Sequence, residues 1–133
     1  MKTAVDSNIL LDIHLANAGW DERSYAALRK CKADGALAIC PVVFAECSFA
    51  FERAQELSHF LDRLGVIAED FSSDSLFAGG HAFASYRRHG GPRQRILPDF
   101  LIGAHAATQA ERLLTRDHGF ARQYFRGLKI IEP

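Results

Sequence analysis

The sequence has few of the features that would staple, anchor or interrupt a fold. Its 133 residues hold three cysteines, four prolines and one tryptophan. No apolar run reaches the ~18 residues of a bilayer span, so no membrane segment is expected. Cys31, Cys40 and Cys47 are odd in number and never form C-x-x-C, which argues against a disulfide framework or a zinc ribbon. They read as buried, reduced thiols of a cytoplasmic protein. An acid at Asp6 stands where a signal peptide would carry its apolar stretch, so no export signal is expected. No repeat, low-complexity tract or linker divides the chain, so residues 1–133 are read as one domain.

Net charge is also lacking, with sixteen Lys and Arg against sixteen Asp and Glu. The balance hides an asymmetry: residues 1–74 carry net −5 and residues 75–133 net +5. Twelve of the sixteen bases are Arg, the better fork for phosphate or carboxylate. Any steering of a polyanion must therefore be local. With 48% apolar and 24% charged residues, the composition is that of an ordinary globular protein.

Short apolar strands are expected at Thr3–Val5, Ala36–Cys40, Val66–Ala68, Arg112–Thr115 and Leu128–Ile131. Helices are expected over Ile9–Ala18, after the cap-forming Asp6-Ser7-Asn8, and over Asp21–Ala33, which stops before Gly35. Pro41 opens one to about Arg53, and Gln55–Leu64 is ended by Gly65. Ser72 or Ser73 caps another reaching Arg88, Pro98 starts one to Ala110, and a short one covers His118–Tyr124. This alternation predicts an α/β architecture: a central, mostly parallel five-stranded sheet with helices on both faces. Ligands of such folds bind outside the carboxyl ends of the strands.

Four carboxylates fall at such places. Asp6 ends the first strand, Glu46 lies in the helix after the second, Asp99 opens the helix before the fourth, and Asp117 follows the fourth. The helical neighbours of Glu46 are Val42, Val43, Phe49 and Ala50, which predicts a carboxylate on a core-facing stripe. Such a group needs a partner or a metal. Asp6, Asp99 and Asp117 each also suit a helix start; their convergence is what suggests chemistry. Crowded carboxylates repel, and a divalent cation relieves this. Oxygen donors without paired His or Cys favour Mg²⁺ or Mn²⁺, completed by substrate phosphate. The residues thus point to phosphodiester chemistry.

From Ser75 to Pro98 there is no acid, while Arg87, Arg88, Arg93 and Arg95 fall there with two glycines. A loop over Arg87–Leu97 beside the acids suits a nucleic-acid backbone. Arg112, Arg116, Arg122, Arg126 and Lys129 read as scattered surface charge, and Asp12 as solvated. The six histidines show no ligand spacing; His105, in an Ala-rich helix, reads as a satisfied core or interface residue. Trp20 and the ten Phe are read as core and interface.

Val5-Asp6-Ser7-Asn8-Ile9-Leu10-Leu11-Asp12, Ala45-Glu46, Pro98-Asp99-Phe100-Leu101-Ile102-Gly103-Ala104-His105-Ala106 and Leu114-Thr115-Arg116-Asp117, with Phe120 and Leu128–Ile131, occur in this order along the chain. Together they resemble the PIN-domain ribonucleases, specifically the VapC-like toxins of bacterial toxin–antitoxin pairs. The resemblance implies a PIN-like fold and a Mg²⁺- or Mn²⁺-dependent endoribonuclease that hydrolyses RNA with a metal-activated water. It implies Asp6, Glu46, Asp99 and Asp117 as metal-binding and catalytic acids, with Ser7, Asn8 and Thr115 supporting them; Ser7 stands where the family often has Thr. It also implies a homodimer and a cognate VapB-like antitoxin. The rival is a catalytically inactive PIN-like binding or assembly module. An aspartyl-nucleophile phosphatase would need an acid two residues after Asp6, and position 8 is Asn.

Overall fold

Five strands of three residues each form one sheet, and the helices between them set their order. In the computed structural model, residues 1–92 and 95–133 are described, with the backbone alone of His118. Strand β1 (Thr3–Val5) leads into α1 (Ser7–His14) and α2 (Asp21–Asp34). Strand β2 (Leu37–Ile39) is followed by α3 (Pro41–Cys47), a 3₁₀ turn (Ser48–Ala50) and α4 (Ala54–Leu64). Strand β3 (Val66–Ala68) precedes the long α5 (Ser73–Arg88) and α6 (Leu97–Gln109). Strand β4 (Arg112–Leu114), α7 (His118–Tyr124) and β5 (Lys129–Ile131) close the chain.

All four pairings are parallel, in the order β3-β2-β1-β4-β5. The chain winds outward from β1 through β2 to β3, then crosses back to place β4 on the other side of β1. The order therefore reverses between β1 and β4, and the crevice at their carboxyl ends is where such a sheet takes its ligand. Every residue of β1, β2 and β4 is buried. Successive strand side chains point to opposite faces, so these strands are covered on both. The expected α/β sheet with helices on both faces is thus the observed one.

The core centres on Ile9, Leu10, Leu28, Leu37, Ile39, Leu57 and Leu114, each at most 1% exposed. Helices α5 and α6 lie against each other, and Gly79 permits the approach: a Cβ there would stand 2.8 Å from the side chain of Leu101. Cys31, Cys40 and Cys47 are buried and free, as read from the sequence. No helix of the described residues is long and apolar enough to cross a membrane.

Two local expectations are corrected. The helix opened by Pro41 stops at Cys47, where the chain tightens into the 3₁₀ turn and Ser48 Oγ donates to the Phe44 carbonyl at 2.8 Å. Such a side chain competes for the carbonyl that a helix would use. Phe51 is then extended. The helix expected to reach Arg88 does so, but the loop expected to begin at Arg87 begins only after it: Arg87 and Arg88 form the last turn of α5, where cations meet the helix dipole favourably. Arg93 lies outside the described residues.

Candidate active site

The mouth between β1 and β4 holds the acids. Asp6 leaves β1 in extended geometry (φ −79°, ψ 155°) and caps α1, accepting the Ser7 amide at 2.7 Å. Its other oxygen accepts Thr115 Oγ at 2.7 Å. Thr115, fully buried just after β4, also accepts the Asp117 amide at 2.9 Å and meets Asn8 Nδ2 at 3.4 Å. Asn8 in turn accepts the Arg116 amide at 3.3 Å. One hydroxyl thus ties the end of β1 to the end of β4. Ser7 Oγ donates to Glu46 at 2.8 Å, linking α1 to α3. Asp99, in the first turn of α6, accepts the Ile96 amide at 2.9 Å.

Asp6, Glu46, Asp99 and Asp117 all line one pocket of about 170 Å³, with Ser7, Asn8, Arg95, Gly103 and Phe120. That is well below the roughly 300–1,000 Å³ of organic-ligand sites and suits an ion or a phosphoryl group. Burial pushes the Asp6 carboxyl above its ordinary value, and Asp117 adds to this; the Thr115 and Ser7 hydrogen bonds oppose it. Partial burial also raises Glu46, reinforced by the charges of Asp6 and Asp99 and opposed by Ser7. The acids therefore repel across the pocket, as crowded carboxylates do.

Asp117 differs from the other three. Arg95, from the α5–α6 connection, donates both Nη groups to it at 2.5 and 3.1 Å. The same guanidinium stands 4.6 Å from the centre of the Phe120 ring. Among the described residues no three His, Cys, Asp or Glu side chains are drawn together as a finished metal site. Each acid instead faces a donor of the protein: Thr115 and Ser7 for Asp6, Ser7 for Glu46, Ile96 N for Asp99 and Arg95 for Asp117. The donor set still fits a hard divalent cation. It is all oxygen, and two of its members are held unfavourably charged in a pocket of ion size.

Of the residues singled out in the sequence, the four acids and Ser7, Asn8 and Thr115 meet here. Arg95 meets them too, while Arg87 and Arg88 are exposed on α5. Glu46 is not on a core-facing stripe: Val43 and Cys47 are buried, whereas Glu46 is exposed and Phe49 is 74% exposed. Of its apolar neighbours, Val43 is in the core, Val42 and Ala50 are half-buried, Phe49 stands in solvent, and none lines the pocket. Asp12, expected in solvent, is fully buried and accepts Ser24 Oγ at 2.8 Å, Asn17 Nδ2 at 3.1 Å and Arg116 Nη2 at 2.9 Å. It lies one turn after buried Ile9, a signal present in the sequence.

Two arginines read as scattered surface charge are therefore structural. Arg116 pairs with Asp12 and stands 4.6 Å from the Trp20 ring centre. Arg112, 5% exposed, donates to Thr3 Oγ at 2.7 Å and pairs with Asp34 at 3.0 Å. His105 is the satisfied buried histidine expected: it is 1% exposed and lies 2.8 Å from Glu69, which also pairs with Lys2.

A family model for the PIN domain matches residues 3–126. No curated protein matches the sequence. Among solved structures, VapBC2 from Rickettsia felis, bound to a DNA fragment from their promoter, superposes with a TM-score of 0.76 at 19% identity, over 100% of this chain and 99% of that one. VapBC-1 from nontypeable Haemophilus influenzae gives 0.71 at 16%, over 99% and 98%. VapC20 from Mycobacterium tuberculosis, described as a sarcin–ricin-loop-cleaving toxin, gives 0.62 at 15%, over 96% and 98%. At these identities the likeness is one of fold. With the family model spanning nearly the whole chain and the fold shared from end to end, the chain belongs to the PIN domain family.

Proposed function

We propose that the protein is the toxin of a toxin–antitoxin pair: an endoribonuclease that hydrolyses RNA phosphodiester bonds with a Mg²⁺- or Mn²⁺-activated water. The observation that carries this reading is the convergence of Asp6, Glu46, Asp99 and Asp117 on one ion-sized pocket at the β1/β4 reversal. Fold relatives that are toxin–antitoxin complexes, and one that cleaves the sarcin–ricin loop, support it. The partners of this reading are an RNA substrate, a VapB-like antitoxin and a second copy of the chain. Its place of action is the cytoplasm.

Asp6, Glu46 and Asp99 are the residues that would hold the cation, with Asp117 beside them. Bound there, a divalent cation would make a coordinated water more acidic and would draw charge from a phosphoryl oxygen. Thr115 and the Ser7 amide fix the Asp6 carboxylate, so its direction is set before substrate arrives. Ser7 Oγ does the same for Glu46. The Ile96 amide orients Asp99 at the mouth of α6. Arg95 presents a guanidinium to the negative charge that grows on the phosphate.

End-group analysis of the cleaved RNA tests this mechanism. Attack by water with the 3′ oxygen as leaving group, as the family resemblance implies, leaves 5′-phosphate and 3′-hydroxyl ends. A 2′,3′-cyclic phosphate would mean that the ribose hydroxyl attacked, and would overturn it.

A further inference from the structure

The carboxylate pocket ends at Arg95, and a second recess begins there. It is walled by Phe83, Tyr86, Arg87 and Ile96, shares Arg95 with the pocket, and encloses about 400 Å³. That volume falls in the range of organic-ligand sites, roughly 300–1,000 Å³, whereas the carboxylate pocket is too small for one. The aromatic floor is rigid. The Phe83 ring lies 5.4 Å and the Tyr86 ring 5.2 Å from that of fully buried Phe100, and Tyr86 is also braced by Tyr124 at 5.5 Å. The Tyr86 hydroxyl donates to the Pro92 carbonyl, so its polar tip faces the connecting loop.

Above this floor the recess is cationic. The Arg87 guanidinium stands 5.8 Å from the Phe83 ring centre. Arg95 is held in place by its paired bonds to Asp117 and by Phe120. No acid occurs between Ser75 and Pro98. Ile96, 58% exposed, gives the recess an apolar lip that no core packing requires. A fixed aromatic platform beside a cationic track is how proteins hold unpaired bases of a single strand.

We infer that this recess is a nucleobase subsite of the carboxylate pocket. An unpaired base lies on the Phe83–Ile96 wall under Arg87, and its phosphate crosses Arg95 on the way to the acids. The inference rests on the RNA-cleaving function proposed above and extends it: the enzyme chooses its cleavage position partly by the base seated here. Asp117 then acts on substrate through Arg95, as a positioning residue for the guanidinium shared by the two chambers.

The test is binding of labelled single-stranded RNA decamers of each base, and of an abasic ribose-phosphate decamer, by the full chain in EDTA, with cleavage of total RNA in Mn²⁺ alongside. Ile96→Ala and Arg87→Gln alter exposed side chains, so neither threatens the fold. Ile96→Ala is expected to weaken base-bearing strands about fivefold or more, leave the abasic strand within about twofold, and change the pattern of cleavage positions. Arg87→Gln is expected to weaken both and reduce the salt slope by about 0.7. Equal effects of Ile96→Ala on both strands, or none, would overturn the inference. So would a change of oligomeric state in sedimentation, which would assign the lip to contact between copies. A wild type that cleaves RNA while Ile96→Ala leaves its positions unchanged sinks the subsite alone. A wild type that neither binds these strands nor cleaves total RNA sinks the function beneath it as well.

Discussion

Asp12→Ala isolates the buried network that braces the site from behind. Asp12 is fully buried on α1, and its oxygens accept from Ser24, Asn17 and Arg116. Ser24 is itself fully buried, so its hydroxyl would be left without this acceptor in a site closed to water. The Ser24 and Asn17 bonds end on a carboxylate, and losing each costs about 1.5 kcal/mol. Breaking a fully buried ion pair costs about 3–5 kcal/mol. The Arg116 side chain is 32% exposed, however, so solvent takes up part of its charge and that share falls to about 1 kcal/mol. The expected loss is therefore about 4 kcal/mol, or a fall in Tm of about 13 °C for a chain of this length. Chemical denaturation of the wild type, Asp12→Ala, Arg116→Ala and the double variant measures it, with a coupling of about 1 kcal/mol between the pair. A loss under about 1 kcal/mol for Asp12→Ala, or no coupling, would refute the reasoning.

Gly103 lines the pocket one turn beyond Asp99, and a Cβ there would stand 2.3 Å from the buried Phe125 ring. Gly103→Ala should cost about 1–3 kcal/mol by overpacking, read by denaturant midpoint. Burial lowers the pKa of His105 below its ordinary 6.5 despite Glu69. The unfolded chain then takes up a proton that the folded one refuses, so this contribution to stability is present above about pH 6.5 and is lost on acidification. Wild-type Tm should fall between pH 7 and 5.5, and His105→Gln should flatten that limb; an unchanged limb would place the titrating group elsewhere. Because Asp6 and Glu46 are held above their ordinary values, Mn²⁺ should raise the Tm of the wild type but not of Asp6→Asn, followed by thermal melts with and without EDTA.

The strands and the acids were legible in the sequence because both follow local rules. A three-residue apolar run beside a cap-forming Asp marks a strand end wherever it occurs, and Asp6 and Asp117 carry that mark. The alternation of elements predicts a parallel sheet, whereas the order that sets β4 beside β1 and brings these acids together is seen only in the fold. Side-chain pairing across the fold was not legible. Arg95 and Asp117 are 22 residues apart, and Arg116 and Asp12 are 104 apart. Nothing local says which arginine meets which acid. Glu46 shows the other limit: apolar neighbours at helical spacing do not by themselves bury the face between them, since Val43 is in the core while Phe49 stands in solvent. The helix after Pro41 was overextended because the capture of the Phe44 carbonyl by Ser48 is a choice of rotamer, which composition does not reveal.

Cleavage of total RNA by purified wild type and Asp99→Asn, each in EDTA, Mg²⁺ and Mn²⁺, tests the central claim most directly. The account predicts discrete fragments from the wild type in Mg²⁺ or Mn²⁺, none in EDTA, and at least about a hundredfold less from a folded Asp99→Asn. Equal cleavage by the variant, or cleavage undiminished in EDTA, would contradict it.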